Sequence, residues 1–146
     1  LASIRITITG GDALQRKLKQ LADAAGSLKP VFNDFGEYMV LTTRDRFDRE
    51  TGPDGEPWQP LNSATAQRKA RRNKNPKILQ QNSILRDSIT YEASDDQLEV
   101  GTNLIYGPTH QFGDPDRNIP ARPFLGINDD DASELEDLIG DYLDVR

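Results

Sequence analysis

His110 is the only histidine, and the chain has no cysteine. Any imidazole-based triad or metal site would rest on that one ring, with no thiolate to help. No acid partner for His110 is identifiable from spacing. The serines lack a Gly-x-Ser-x-Gly elbow, and no glycine-rich loop ends in Gly-Lys-Ser/Thr to hold phosphate. Asp129, Asp130 and Asp131 are three carboxylates in a row. Successive residues at a helix start point in different directions, so they suit the helix dipole better than a magnesium cage. Asp48, Glu50, Asp54 and Glu56 surround a Gly/Pro loop but miss the alternating ligand positions of a calcium loop. The reading is no enzyme, no cofactor and no metal, with His110 a structural hydrogen-bonding residue.

The densest shape-setting stretch is Tyr106-Gly-Pro-Thr-His-Gln-Phe-Gly113, continued by Ile119-Pro-Ala-Arg-Pro-Phe-Leu-Gly126. Pro120 and Pro123 fix their own φ and push their predecessors to extended conformations. Gly113 and Gly126 allow backbone angles that a side chain would forbid. Phe112, Arg122 and Phe124 then sit at fixed spacing on a rigid extended segment. Such a segment holds a surface in one shape.

The elements around it are short and polar. At 146 residues the chain fits one domain, 1–146, with 35% apolar and 29% charged residues. That balance predicts a modest core with long loops, or burial completed by partner subunits. The net charge of −6 argues against a surface that grips nucleic acid throughout. The charge is segregated, however. Arg68, Lys69, Arg71, Arg72, Lys74 and Lys77 crowd one segment, while Asp129, Asp130, Asp131, Glu134, Glu136, Asp137, Asp141 and Asp144 crowd another. Such polarity suits head-to-tail contact between copies or contact with two neighbours. No apolar run reaches the ~20 residues of a membrane span. The start at Leu1 is consistent with a trimmed residue or tag, and no signal-peptide pattern follows it.

Ile4, Ile6 and Ile8 alternate with Arg5, Thr7 and Thr9 as a half-buried strand ended by Gly10-Gly11. Asp12 and Gln15 read as a capping box for a helix carrying Leu14, Leu18, Leu21 and Ala25, stopped by Gly26 in a left-handed cap. Pro30 opens a second helix with Val31, Phe35, Tyr38, Met39 and Thr42 on one face, continuing towards Phe47. Its end, Arg44 to Glu50, is expected to be exposed, ion-paired and to reach past the body of the domain. Residues 51–58 form a loop whose Trp58 anchors it to the preceding helix or to a neighbouring subunit. Asn62 or Ser63 caps a short helix through Ala64, Ala66, Gln67 and Ala70 that runs into basic residues ending at Pro76. Ile78, Leu79 and Leu85 flank a polar turn over 80–83. Ile89 and Tyr91 face inward with Leu98 and Val100 in an antiparallel hairpin. Residues 103–111 are ambiguous, a helical turn broken by Pro108. Leu135, Leu138, Ile139 and Tyr142 line a final amphipathic helix.

An ordered set of motifs resembles the phage virion morphogenesis family of tail-completion proteins. It runs through Arg46-Phe47, Pro53-Asp-Gly-Glu-Pro-Trp58, Pro60-Leu61, Thr65, Ile78-Leu79, Leu85-Arg-Asp-Ser-Ile89, Val100-Gly101, Tyr106, His110-Gln-Phe-Gly113 and Ile119–Gly126. Asn82-Ser83 replaces an expected Thr-Gly, and Gly107 an expected alanine. The resemblance implies an α+β fold, a small, mostly antiparallel sheet packed against two or three helices with long loops. It implies a structural tail protein acting at the head-proximal end of the tail or in head–tail joining. Partners implied are copies of itself in a ring, a hexamer by the tail's symmetry, with tail tube and head or connector proteins and transient DNA contact in the lumen. Assembly in the host bacterial cytoplasm and a place in the virion tail or neck follow, with no membrane. Interface or structural roles are expected for Trp58, Arg68, Lys69, Arg71, Arg72, Lys74, Tyr106, His110, Phe112, Gly113, Pro120, Arg122, Pro123 and Phe124. The alternative is a small nucleic-acid-associated module using the basic segment 68–77.

Overall fold

The computed structural model describes residues 2–7, 12–72, 78 and 84–144. Among them lie six α-helices and a three-stranded sheet: β1 (Ala2–Thr7), α1 (Ala13–Ala25), α2 (Lys29–Arg49), α3 (Ser63–Arg71), α4 (Ile84–Asp87), β2 (Thr90–Ala93), β3 (Gln97–Thr102), α5 (Gly107–Phe112) and α6 (Asp129–Asp144). The strand order is β1-β3-β2. The fold is thus α+β but dominated by helix. The expectation of two or three helices fell short because α4 and α5 are too short to carry a readable 3.6-residue period.

The chain divides into two compact units. One comprises Leu41–Ile89 and Gly101–Gly126 with Leu1–Ala2; the other comprises Ser3–Val40, Thr90–Val100 and Ile127–Arg146. The second unit holds most of the sheet, α1, the first half of α2 and α6. Asp12 caps α1 by accepting from the Gln15 N–H at 2.9 Å, and Gly26 closes it at φ +80°. Leu18, Leu21, Val31, Phe32, Phe35, Met39, Leu98, Val100, Leu135 and Ile139 are all buried. α2 begins one residue before Pro30. Asp95 in the β2–β3 turn accepts from the Leu28 N–H at 2.9 Å through its carbonyl, and from Ser27 Oγ at 2.7 Å through its side chain. A Cβ on Gly36 would collide with the Tyr91 ring, so α2 and β2 approach as closely as a glycine allows. Ile8, Gly10 and Gly11 lie outside the described residues.

At the start of α6, Asn128 and Asp131 cap each other reciprocally, Asn128 N–H to Asp131 Oδ2 at 3.0 Å and Asp131 N–H to Asn128 Oδ1 at 2.8 Å. Tyr38 donates to Asp131 Oδ1 at 2.8 Å. Asp131 is therefore buried and spoken for, whereas Asp129 and Asp130 are exposed.

The first unit has long segments outside helix and strand at 50–62 and 118–126. Here the expected exposed end of α2 is corrected. Asp45, Asp48 and Arg49 are exposed, with Asp45 and Arg49 paired at 2.8 Å. Arg46 and Phe47 are buried, and Asp48 takes Arg86 through both its oxygens at 3.0 and 3.1 Å. Charge cancellation along the sequence hid that one arginine in the run points inward. α3 is capped by Asn62, which accepts from Thr65 N–H at 2.8 Å, but its alanines are exposed and Lys69 is the buried residue. Pro108 stands in the first turn of α5 and starts the helix instead of breaking it, because its missing N–H would have no partner there. The ambiguous stretch thus resolves into a helix over Gly107–Phe112, one that Pro108 begins. The Asn73–Lys77 stretch, Leu79 and the polar turn at 80–83 fall outside the described residues.

Candidate functional site

The prolines at 120 and 123 take two backbone donors out of the segment after Ile119, so it cannot run as an inner strand of a sheet. Its carbonyls still need partners once buried. Side chains supply them at four successive positions. Trp58 Nε1 donates to Pro123 O at 2.7 Å, and Arg46 Nη1 donates to Phe124 O at 2.9 Å and to Gly126 O at 3.0 Å. Gln111 Nε2 donates to Leu125 O at 3.1 Å. The Gln111 Oε1 accepts from both Phe124 N–H and Leu125 N–H at 3.0 Å. One amide side chain thus serves three backbone groups.

Two aromatic contacts and one more cation complete this clasp. Phe47 meets Trp58 edge-on at 5.4 Å and Phe124 at 5.2 Å, and all three rings are buried. Offset and edge-on rings at such distances add about 0.5–1.5 kcal/mol per pair beyond area burial. Arg122 is buried and donates through Nε to Gln59 O at 2.9 Å and through Nη2 to Pro60 O at 3.3 Å. Its backbone N–H donates to His110 O at 2.8 Å. Arg122 and Phe124 therefore hold the segment against the Trp58 loop, the end of α2 and α5, and not against the sheet.

The loop bearing Trp58 is itself a tight turn. Thr51 and Pro57 form an antiparallel bridge, Gly52 N–H donates to Glu56 O at 2.8 Å, and Trp58 N–H donates to Glu50 O at 2.9 Å. On the other side, Gly113 ends α5 at φ +77°, and a Cβ there would stand 2.7 Å from Ala121 N. Both the angle and the close approach require glycine. Gly126 has no positive φ; what it lacks is room, since a Cβ would stand 2.7 Å from Pro53 Cγ. Asp114 and Ile119 exchange backbone hydrogen bonds at 2.8 and 2.9 Å, and the Asp114–Arg117 pair at 2.7 Å closes the turn between them.

The electrostatics of the clasp are cationic. Burial pushes Arg122 below the usual guanidinium value. Burial also lowers Lys69, partly offset by Glu50 and reinforced by Arg122. His110 is lowered by burial first, then by Arg122 and Arg117. The Nδ1 of His110 is buried without a hydrogen-bond partner, and its ring sits edge-on to Tyr106 at 5.9 Å. The hydrogen bond that ties His110 to the segment is made by its backbone carbonyl, not by Nδ1. Among the described residues no group of three or more carboxylates or histidines converges to hold a metal ion.

Of the residues singled out from sequence, Trp58, Arg122, Pro123 and Phe124 come together in the clasp, with Gly113 and His110 beside it. Pro120 lines a cleft together with Gln59, Asn62, Phe112 and Arg122. Phe112 and Tyr106 are exposed, as are Arg68, Arg71 and Arg72. Lys69 parts from the basic cluster and is buried, while Lys74 lies outside the described residues. Sequence reasoning missed Gln111 and Arg46 as the organising side chains. The signal was present: a long polar side chain next to a proline-rich segment whose carbonyls have no ladder to join.

This arrangement is a brace between distant loops, and it converges on backbone groups. The chain belongs to the phage virion morphogenesis family, whose sequence profile matches residues 10–144. It is 28% identical over 128 residues to the Mu-like prophage FluMu G protein 1 of Haemophilus influenzae, covering 86% of each chain. It is 30% identical over 148 residues to the FluMu G protein 2 of the same organism, covering 97% of each. An uncharacterised protein of Methanocaldococcus jannaschii is 26% identical over 101 residues, 66% of this chain and 75% of that one. No solved structure matches the chain. Among the described residues no helix is long and apolar enough to cross a membrane.

Proposed function

We propose that this virion morphogenesis protein acts without catalysis at tail completion, at the head-proximal end of the tail or in joining tail to head, through contacts between copies in a ring. The observation that carries the reading is the use made of the motif residues. Arg46, Trp58, Gln111 and Arg122 all point their donors at backbone carbonyls, fixing the shape of one loop-rich unit. Phe112, 73% exposed, and Ile105, 94% exposed, are left outside that brace, available to neighbours. Burial and the Arg122 and Arg117 charges hold His110 towards its neutral form, which supports a role outside acid–base chemistry. Deleting the gene from a phage that carries it should leave heads and tails unjoined in lysates seen by electron microscopy. Intact, infectious particles from such a deletion would overturn the proposal.

A second reading, phosphate contact by the exposed Arg68, Arg71 and Arg72, is favoured by their lack of ion-pair partners among the described residues. Binding to duplex DNA that falls steeply with salt would support it.

A further inference from the structure

α6 carries an acidic stripe. Asp130, Glu134, Asp137, Asp141 and Asp144 recur at the spacing of one helix face, opposite the buried Leu135 and Ile139. Asp130, Asp137, Asp141 and Asp144 are exposed and Glu134 is half-buried; among the described residues none of the five has a cationic partner. The helix contains no lysine or arginine. Like charges four residues apart destabilise a helix, and carboxylates in its last turn oppose the dipole. From Glu134 onward the stripe therefore works against the helix that bears it.

The first unit shows the opposite sign. Arg68, Arg71 and Arg72 stand at i, i+3 and i+4, on one exposed face of a helix without an acidic residue. Next to the N-terminus of α3, a cleft of about 490 Å³ is lined by Gln59, Asn62, Phe112, Pro120 and Arg122. Arg122 is 8% exposed, and no carboxylate among the described residues pairs with it. It donates through Nε and Nη2 to the uncharged carbonyls of Gln59 and Pro60. A guanidinium this buried without a counter-charge is costly, and a carboxylate arriving in the cleft would relieve that cost.

We infer that the Arg68–Arg71–Arg72 face of α3, with the Arg122 cleft beside it, is the docking surface for the acidic face of α6 from a second copy of this chain. This rests on the ring reading and names its contact. The stripe from Asp130 to Asp144 spans about 21 Å at about 1.5 Å per residue, long enough to cover the α3 face and end at the cleft. The two surfaces differ, so the contact is heterologous: each copy offers α3 to one neighbour and α6 to the other, and closure gives a ring.

Sedimentation velocity of the full chain at low and high salt tests this. The variants are an Arg68→Glu, Arg71→Glu, Arg72→Glu triple and an Asp137→Lys, Asp141→Lys, Asp144→Lys triple, all at exposed positions, with folding checked by circular dichroism. The wild type should self-associate and weaken with salt. Each triple alone should lose association by about tenfold or more. An equimolar mixture of the two should recover it, because the reversed faces complement each other. Arg122→Gln should weaken association without removing it. Wild-type association untouched by either triple, no recovery in the mixture, or a monomeric wild type would each overturn the inference. So would loss of DNA binding as the sole effect of the arginine triple. An association that ignores the triples leaves the tail-completion reading to its own test, particle morphology, so the two fail separately.

Discussion

The indole N–H of Trp58 donates to the Pro123 carbonyl at 2.7 Å, tying together residues 65 apart in the chain. Trp58 is 4% exposed, so the Pro123 oxygen has no easy access to water on that side. Trp58→Phe keeps a ring against Phe47 but leaves that acceptor unmet. The expected cost is about 1–3 kcal/mol in urea-induced unfolding. A loss below about 0.5 kcal/mol would show that the bond is not structural.

Gln111→Ala removes three hydrogen bonds from one backbone stretch. Two buried N–H groups and one carbonyl lose their partner together, and the destabilisation should reach about 2–4 kcal/mol. Gln111→Glu keeps both acceptor bonds and sets a carboxylate oxygen against Leu125 O, so its loss should fall between wild type and alanine. Sole Trp58 provides the probe: emission should shift to the red with the same midpoint as circular dichroism if the brace and the fold are lost together.

Arg46→Lys tests whether charge or shape matters in the clasp. One Arg46 nitrogen reaches both Phe124 O and Gly126 O, from a planar group that a lysine cannot reproduce. Lysine should cost about 1–3 kcal/mol and methionine about the same or less, since an apolar replacement leaves no buried charge. Lysine equal to wild type in chemical denaturation would refute the geometric reading.

Gly113→Ala should be more damaging than Gly55→Ala. Both glycines have positive φ, but a Cβ at Gly55 meets open space, whereas at Gly113 it meets Ala121 N. We expect about 1 kcal/mol at Gly55 and about 2 kcal/mol or more at Gly113. Equal thermal shifts would mean that the close approach carries no weight.

His110 makes stability depend on pH in a definite direction. Its folded value lies below the ordinary 6.5, mainly through burial and then through Arg122 and Arg117. The unfolded chain therefore takes up the proton first as pH falls. Stability contributed by the neutral ring is full above the unfolded value and is lost as pH drops through it towards the folded one. Unfolding free energies measured from about pH 8 to about pH 5 should decline, and His110→Asn should flatten the decline. An unchanged slope in the variant would assign it to the carboxylates instead.

Much of the second unit was written into local sequence. The Asp12 cap, the Gly26 stop, the stripe of α1, the β2–β3 hairpin and the start of α6 each depend on residues within a turn or two, and local signals specify them. In the first unit the Asn62 cap of α3 was legible locally, but the rest was read from prolines, glycines and a cluster of arginines. Which groups satisfy the carbonyls of 123–126 depends on residues 46, 58 and 111, and no periodicity links those positions. Only the tertiary structure decided that Arg46, Lys69 and Asp131 turn inward while Arg68, Arg71 and Arg72 stay out, because burial of a charge is set by which backbone groups surround it and not by its neighbours in the chain.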